Sequence, residues 1–276
     1  MNSARINKLE VISRVPQAKA SAANGENARK TPLLFVHGAY TAAWCWDEHF
    51  LPFFAESGYF CHAVSLSGHG ASRGREHLDS FGIDQYVEDV AEVVAKLPAA
   101  PVLIGHSMGG IVAQKYLERH EAPAVVLMAS VPPQGLWGAA LGIAFQKPGL
   151  LRDLNNLLDG TQVSLETLRE VMFSQPIDES DLARFYRRMQ PESHRAIWDM
   201  TLFNLPLRSR MMHLPPFLVL GAQHDHLIPS SQVEMTARTY GVEAEIFPDM
   251  GHGLMLERDW RKVALRILAW LGEQGL

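Results

Sequence analysis

The chain is poor in cysteine, with only Cys45 and Cys61 in 276 residues. Two such isolated thiols lack the paired spacing of a zinc site and cannot staple a small secreted scaffold. Redox chemistry and structural zinc are therefore disfavoured, and both residues are expected as packed free thiols of a reducing compartment. Positive charge is scarce too: 25 Lys and Arg face 30 Asp and Glu, for a formal net charge of −5. That balance offers no footprint for nucleic acid and no polybasic membrane surface. No apolar run approaches the roughly 18 residues of a membrane span. The N-terminal stretch carries Arg5, Lys8, Arg14 and Lys19 but no apolar core of an export signal. A cytoplasmic protein without stable membrane insertion is expected. No repeat of fixed period occurs, which removes solenoids and propellers.

What is present is alternation. The runs Leu33–Val36, Val102–Ile104, Val125–Leu127 and Phe217–Leu220 are apolar throughout and bounded by Gly, Pro or His, the signature of strands buried on both faces. Ala244–Phe247 also reads as a strand. Between them, Tyr86, Val90, Val93, Val94 and Leu97 share one face of a helix opened by Asp84, and Trp260, Val263, Ala264, Ile267, Leu268 and Leu271 do the same near the C-terminus. Strand then helix, repeated, predicts an α/β protein with a mostly parallel central sheet and helices on both faces. An N-terminal hairpin is expected around Ile6–Ser13, followed by a loop over Val15–Lys30. Over residues 131–213 the strand signal gives way to helical patterns at Leu136–Phe145, Leu165–Phe173 and Asp181–Met189. This predicts a helical cap at 131–213 inserted into a core domain made of 1–130 and 214–276.

The sharpest motif is Gly105-His106-Ser107-Met108-Gly109, followed by Gly110, between the strand ending at Ile104 and a helical run at Ile111–Leu117. Strand, G-x-S-x-G and helix describe a nucleophile elbow, whose tight turn needs glycine two positions either side of the serine. The turn lifts the Ser107 hydroxyl to a helix N-terminus, where the dipole favours negative charge. A serine needs a general base, and the base needs an orienting carboxylate. In folds with this elbow the order is Ser, Asp or Glu, then His. Asp225, just past the strand Phe217–Leu220, and His252, after Ala244–Phe247, fit that order. Asp249 competes with Asp225 as orienter, but it belongs to the loop carrying His252 itself. Among the 12 histidines, His106 and His69 read as structural. His224 and His226 flank Asp225 and could suggest a metal, yet no third ligand is identifiable. No metal and no cofactor is implied.

Acyl transfer also needs donors for an oxyanion. The backbone N–H groups of Met108, directly after the serine, and of Ala39, in His37-Gly38-Ala39 after Leu33–Val36, are the candidates. Trp137, Phe145, Phe173, Trp198 and Phe203, in the expected cap, are candidate pocket residues, although such aromatics also serve simply to pack helices.

Together, His37-Gly38, Gly68-His69-Gly70-Ala71-Ser72, Gly105–Gly110, Gly221–Pro229 and Gly251-His252 resemble the α/β-hydrolase superfamily in order and spacing, over about residues 31–130 and 214–272. His37-Gly38-Ala39 with Ala43-Trp44-Cys45-Trp46 is similar to the plant methylesterase and hydroxynitrile lyase branch. The lyases carry lysine after the catalytic histidine, where this chain has Gly253, so cyanohydrin cleavage is disfavoured. Dehalogenases and epoxide hydrolases of the superfamily use aspartate where Ser107 stands, and cofactor-free dioxygenases carry histidine where Met108 stands. The resemblance implies a serine hydrolase that cleaves a carboxylic ester of a small, apolar or aromatic substrate through an acyl-enzyme. Two alternatives stay open: a carbon–carbon bond hydrolase on a diketone-like substrate, and a catalytically silent small-molecule receptor.

Overall fold

The computed structural model describes residues 8–16, 30–138 and 164–276. Seven strands form one sheet: β1 Val11–Arg14, β2 Leu33–Val36, β3 Cys61–Val64, β4 Val102–His106, β5 Val125–Met128, β6 Phe217–Ala222 and β7 Ala244–Phe247. Their spatial order is β1-β3-β2-β4-β5-β6-β7. Every neighbouring pair is parallel except β1 with β3. The expected fold class holds. β3 is the strand that sequence periodicity missed, because Cys61-His62-Ala63-Val64 interrupts its apolar run with a histidine. The expected N-terminal hairpin is corrected: β1 pairs Val11 with Val64 and Arg14 with Cys61, at the edge of the sheet, while Ile6 lies outside the described residues.

Alternation along the strands splits the core in two. Leu33, Phe35, Val102, Ile104, Val126 and Met128 face one layer, which holds α1 Trp44–Asp47, α2 Phe50–Glu56 and, further along the chain, the helix Trp260–Glu273. Leu34, Val36, Leu103, Val125 and Leu127 face the other. That layer holds α3 Ile83–Val94, α4 Met108–Tyr116 and the helix Ser230–Tyr240. Burial on both faces is what made these strands legible as continuous apolar runs.

Between β5 and β6 the described residues contain no strand, but three α-helices, α5 Leu165–Met172, α6 Glu179–Arg188 and α7 His194–Trp198, a wider π-helical turn at Asp199–Phe203 and a short 3-10 turn at Arg208–Arg210. Most of the helix expected at Leu136–Phe145 lies outside the described residues. After β6 come α8 Ser230–Tyr240 and, after β7, α9 Trp260–Glu273. No helix among the described residues is long and apolar enough to cross a membrane. Cys45 and Cys61 are both buried free thiols.

Register decides which loops meet. Val36 of β2 pairs with Gly105 of β4, so the chain after β2 emerges beside Ser107. Ala222 of β6 pairs with Phe247 of β7, so the loops carrying Asp225 and His252 leave the sheet side by side. Neighbouring strands are about 4.8 Å apart, and ligand-binding groups in such sheets gather at the carboxyl ends of the strands.

Candidate active site

Ser107 sits at the junction of β4 and α4 with φ 51° and ψ −115°, a conformation costly for any side chain. Its neighbours leave no alternative. A Cβ at Gly105 would lie 2.4 Å from the Gly109 carbonyl oxygen, and one at Gly109 would lie 2.2 Å from that of Val36. The turn is stapled to the end of β5, where the Ser107 N–H donates to the Met128 carbonyl (3.0 Å) and the Val131 N–H to the Ser107 carbonyl (3.1 Å). Among the described residues, the other non-glycine residues with positive φ are Tyr40, Ala129 and Asp249. All four follow the carboxyl ends of parallel strands, so backbone strain of about 1–3 kcal/mol per residue concentrates on one edge of the molecule.

Asp225 and His252 are brought together. His252 Nδ1 donates to Asp225 Oδ2 at 2.7 Å, with both side chains almost fully buried. Asp225 Oδ1 accepts from the N–H groups of Leu227 and Ile228, each at 2.8 Å, so the carboxylate cannot rotate without losing three bonds. A histidine donating from Nδ1 to a carboxylate carries its lone pair on Nε2, the form of a general base. Asp249, the rival orienter, is exposed, with His224 Nε2 3.9 Å away as its ion-pair partner. No hydrogen bond joins Ser107 Oγ to His252 in this structure; catalytic contacts of this kind commonly tighten only around substrate.

His106 ties the two halves together. Its Nε2 donates to the His252 backbone carbonyl at 2.9 Å, and the two rings are 4.6 Å apart between centroids. Burial, with the adjoining His252 and His37, holds its pKa well below the ordinary value, so it stays neutral, and its Nδ1 is buried without a partner. On the other side of His252, the Gly251 N–H donates to Glu257 Oε1 at 2.7 Å. Glu257 also receives the N–H groups of Ser174 (2.7 Å) and Gln175 (3.3 Å), from the segment following α5. Burial pushes the Glu257 carboxyl up, against the pull of those three N–H groups. Nothing in the local sequence marks Glu257 for this task.

A Cβ at Gly38 would lie 3.1 Å from the Ser107 Cβ, so the chain after β2 passes directly beside Ser107. Its carbonyl accepts from His37 Nδ1 (2.8 Å) and Thr41 Oγ1 (3.0 Å). His37 Nε2 in turn accepts the Leu66 N–H at 3.0 Å. Burial, reinforced by the charge of nearby His69, lowers the His37 pKa to about 3, which fits a ring already donating on one side and accepting on the other. The N–H groups of Ala39 and Met108 donate to no acceptor among the described residues.

The five candidate pocket aromatics separate. Phe173 is 7% exposed, stacks on Phe185 with centroids 6.2 Å apart, and its backbone adjoins Gly251. Trp137, Trp198 and Phe203 are 56%, 56% and 71% exposed, while α7 and the π-helical turn bury Ala196 and Met200. Phe145 lies outside the described residues. His224 and His226 lie in the turn after β6 rather than in a strand.

The sequence pattern of the alpha/beta hydrolase family matches residues 33–266, which takes in every strand but the edge strand β1. The chain belongs to the alpha/beta hydrolase family. The resemblance to the plant branch is also met: this α/β hydrolase is 36% identical to methylesterase 3 of Arabidopsis thaliana over 88 residues, 31% of this chain and 33% of that one. It is 38% identical to a non-heme haloperoxidase of Rhodococcus erythropolis over 106 residues, 37% of this chain and 38% of the other. These matches thus span 33% and 38% of the two relatives' lengths. An esterase from Exiguobacterium antarcticum superposes with a TM-score of 0.72 over 96% of both chains at 19% identity, which is a likeness of fold.

Proposed function

We propose that this α/β hydrolase cleaves the carboxylic ester of a small, apolar or aromatic substrate through an acyl-enzyme on Ser107. The observation that carries the reading is the buried 2.7 Å bond between His252 Nδ1 and Asp225, beside a strained serine turn. Ser107 Oγ attacks the ester carbonyl while His252 Nε2 takes its proton. Asp225 holds the tautomer and stabilises the imidazolium. The uncommitted N–H groups of Ala39 and Met108 receive the developing oxyanion. His252 then protonates the leaving alcohol, and the same base activates the water that releases the acid. A haloperoxidase among the relatives means that family membership alone does not select the reaction. The ester reading rests on the site and on the methylesterase likeness.

Residues 131–213 serve in this reading as a helical cap on a core of 1–130 and 214–276. In support, the end of α5 reaches the His252 loop through the Gly253 N–H to Met172 carbonyl bond (2.7 Å), and the segment after it does so through Glu257. The apolar preference rests on Phe173, whose backbone adjoins Gly251, and on Phe185 stacked against it.

The test is fluorophosphonate labelling of wild type and Ser107→Ala, read by intact mass, beside turnover of short and medium p-nitrophenyl esters. A single adduct and ester turnover in wild type alone are expected. Full activity in Ser107→Ala would sink the reading.

A further inference from the structure

A second buried ion pair lies under the loop that follows β2. His69 Nε2 and Glu192 Oε2 are 3.0 Å apart with neither side chain exposed to solvent. His69 Nδ1 meets the Ser67 carbonyl at 3.1 Å, so the ring is held at both nitrogens. Burial pushes the Glu192 carboxyl up. The His69 charge and the bonds from His69, Tyr86 and the Ser193 N–H outweigh it, and its pKa lies below the ordinary value.

Glu192 has a further partner. Its Oε2 faces the Tyr40 N–H at 3.4 Å, and Tyr40 is the residue after Ala39, held at φ 63°. Two positions earlier, the Gln190 N–H donates to the Tyr40 carbonyl (3.0 Å), and Gln190 Nε2 donates to the Thr41 carbonyl (2.7 Å). Gln190 Oε1 accepts the Gly70 N–H at 3.1 Å, tying the same segment to the turn after β3. Both backbone polar groups of Tyr40, its N–H and its carbonyl, are therefore held by residues 190–192. An N–H that stabilises an oxyanion works only if it is aimed before the charge appears. Left-handed backbone at a tyrosine persists only where surrounding bonds impose it.

We propose that Glu192, braced by His69 and assisted by Gln190, is a positioning residue that fixes the Tyr40 peptide and so aims the Ala39 N–H at the oxyanion. This rests on the ester-hydrolase reading above.

Every group facing Glu192 is a donor: the N–H groups of Tyr40 and Ser193, His69 Nε2 and the Tyr86 hydroxyl. Glu192→Gln replaces one acceptor oxygen by an NH₂ donor, so at least one of these bonds fails. Gln190→Ala removes the side-chain bonds to Thr41, Gly70 and Arg75 and spares the ion pair. The experiment measures kcat and KM on the p-nitrophenyl ester that wild type cleaves fastest, normalised to active sites titrated with fluorophosphonate, together with Kd for an arylboronic acid that forms a tetrahedral anion on Ser107. In Glu192→Gln, kcat should fall about 10- to 100-fold with KM within about two-fold, and boronate affinity should weaken by the same factor. Gln190→Ala should fall about 3- to 10-fold in both. A merely structural role would lower the titrated fraction and Tm while leaving kcat per active site and boronate Kd at wild-type values, and that result overturns the proposal. If Glu192→Gln does not fold, unchanged kcat and boronate Kd in Gln190→Ala overturn it equally. Retained activity in Ser107→Ala would instead remove the underlying reading, so the two failures are distinct.

Discussion

Asp225 with His252 and Glu192 with His69 are both buried carboxylate–histidine pairs, at 2.7 Å and 3.0 Å, and both stand next to loops of the candidate site. They differ at the second ring nitrogen. His69 spends it on the Ser67 carbonyl, so the ring is engaged at both ends. His252 is bound to protein through Nδ1 and its backbone carbonyl, and its Nε2 stays uncommitted. The carboxylates differ as well. The second oxygen of Asp225 is fixed by two N–H groups of its own turn, whereas Glu192 gathers donors from the segments after β2 and β3, from α3 and from its own neighbour. One pair therefore leaves a ring nitrogen able to accept a proton. The other joins distant segments. A carboxylate near a histidine is not by itself a catalytic signature; the vacancies of the ring decide.

The contrast breaks most visibly at the histidines. His252→Ala should lower kcat by about 10⁵-fold, measured on titrated active sites, while His69→Asn should cost no more than about 100-fold and chiefly reduce Tm. Comparable losses from both would erase the distinction. Asp225→Asn should cost about 10³- to 10⁴-fold in kcat with Oδ1 still able to hold Leu227 and Ile228, so urea unfolding should move little. Glu192→Ala inverts that pattern: removing one partner of a fully buried pair should cost about 3–5 kcal/mol in urea unfolding, more than its effect on rate would suggest.

Acid should weaken the molecule in two windows. His37 is neutral when folded, with its pKa lowered to about 3 from 6.5, so the unfolded chain binds the extra proton and stability falls as pH drops from about 6.5 towards 3. Glu192, held below its ordinary 4.5, contributes stability that is complete above that value and lost as pH falls through the folded pKa. Urea midpoints should decline from pH 7 to pH 5, with a smaller slope in His37→Asn; a flat wild-type profile would contradict the buried neutral ring. The smallest effect is expected at the rival orienter. Asp249→Asn removes an exposed carboxylate at a left-handed position that asparagine adopts readily, so kcat and stability should stay within about two-fold and about 0.5 kcal/mol.

Legibility followed the range of the interaction. The elbow could be read because its constraints are local: Gly105 and Gly109 are required by contacts with the turn itself and with the adjoining strand end. The central strands could be read because both faces are buried. β3 escaped because His62 interrupts it, and the N-terminal hairpin was misplaced because β1 pairs with a strand far along the chain. The aromatic residues of α7 and the turn after it carried no sign of which face would turn inward. Trp198 and Phe203 point outward with 56% and 71% exposure, while the smaller Ala196 and Met200 are buried.

The sequence by itself determined the alternation of buried strands and helices, the tight serine turn, and a short set of histidines and carboxylates able to do the chemistry. Tertiary structure alone decided which of them meet. The pairing of β6 with β7 delivers Asp225 to His252, and the approach of residues 190–192 to the turns after β2 and β3 closes His69 off. The physical reason is that periodicity and turn chemistry act between near neighbours, whereas a proton relay depends on distances between loops that strand register and packing set across the whole chain.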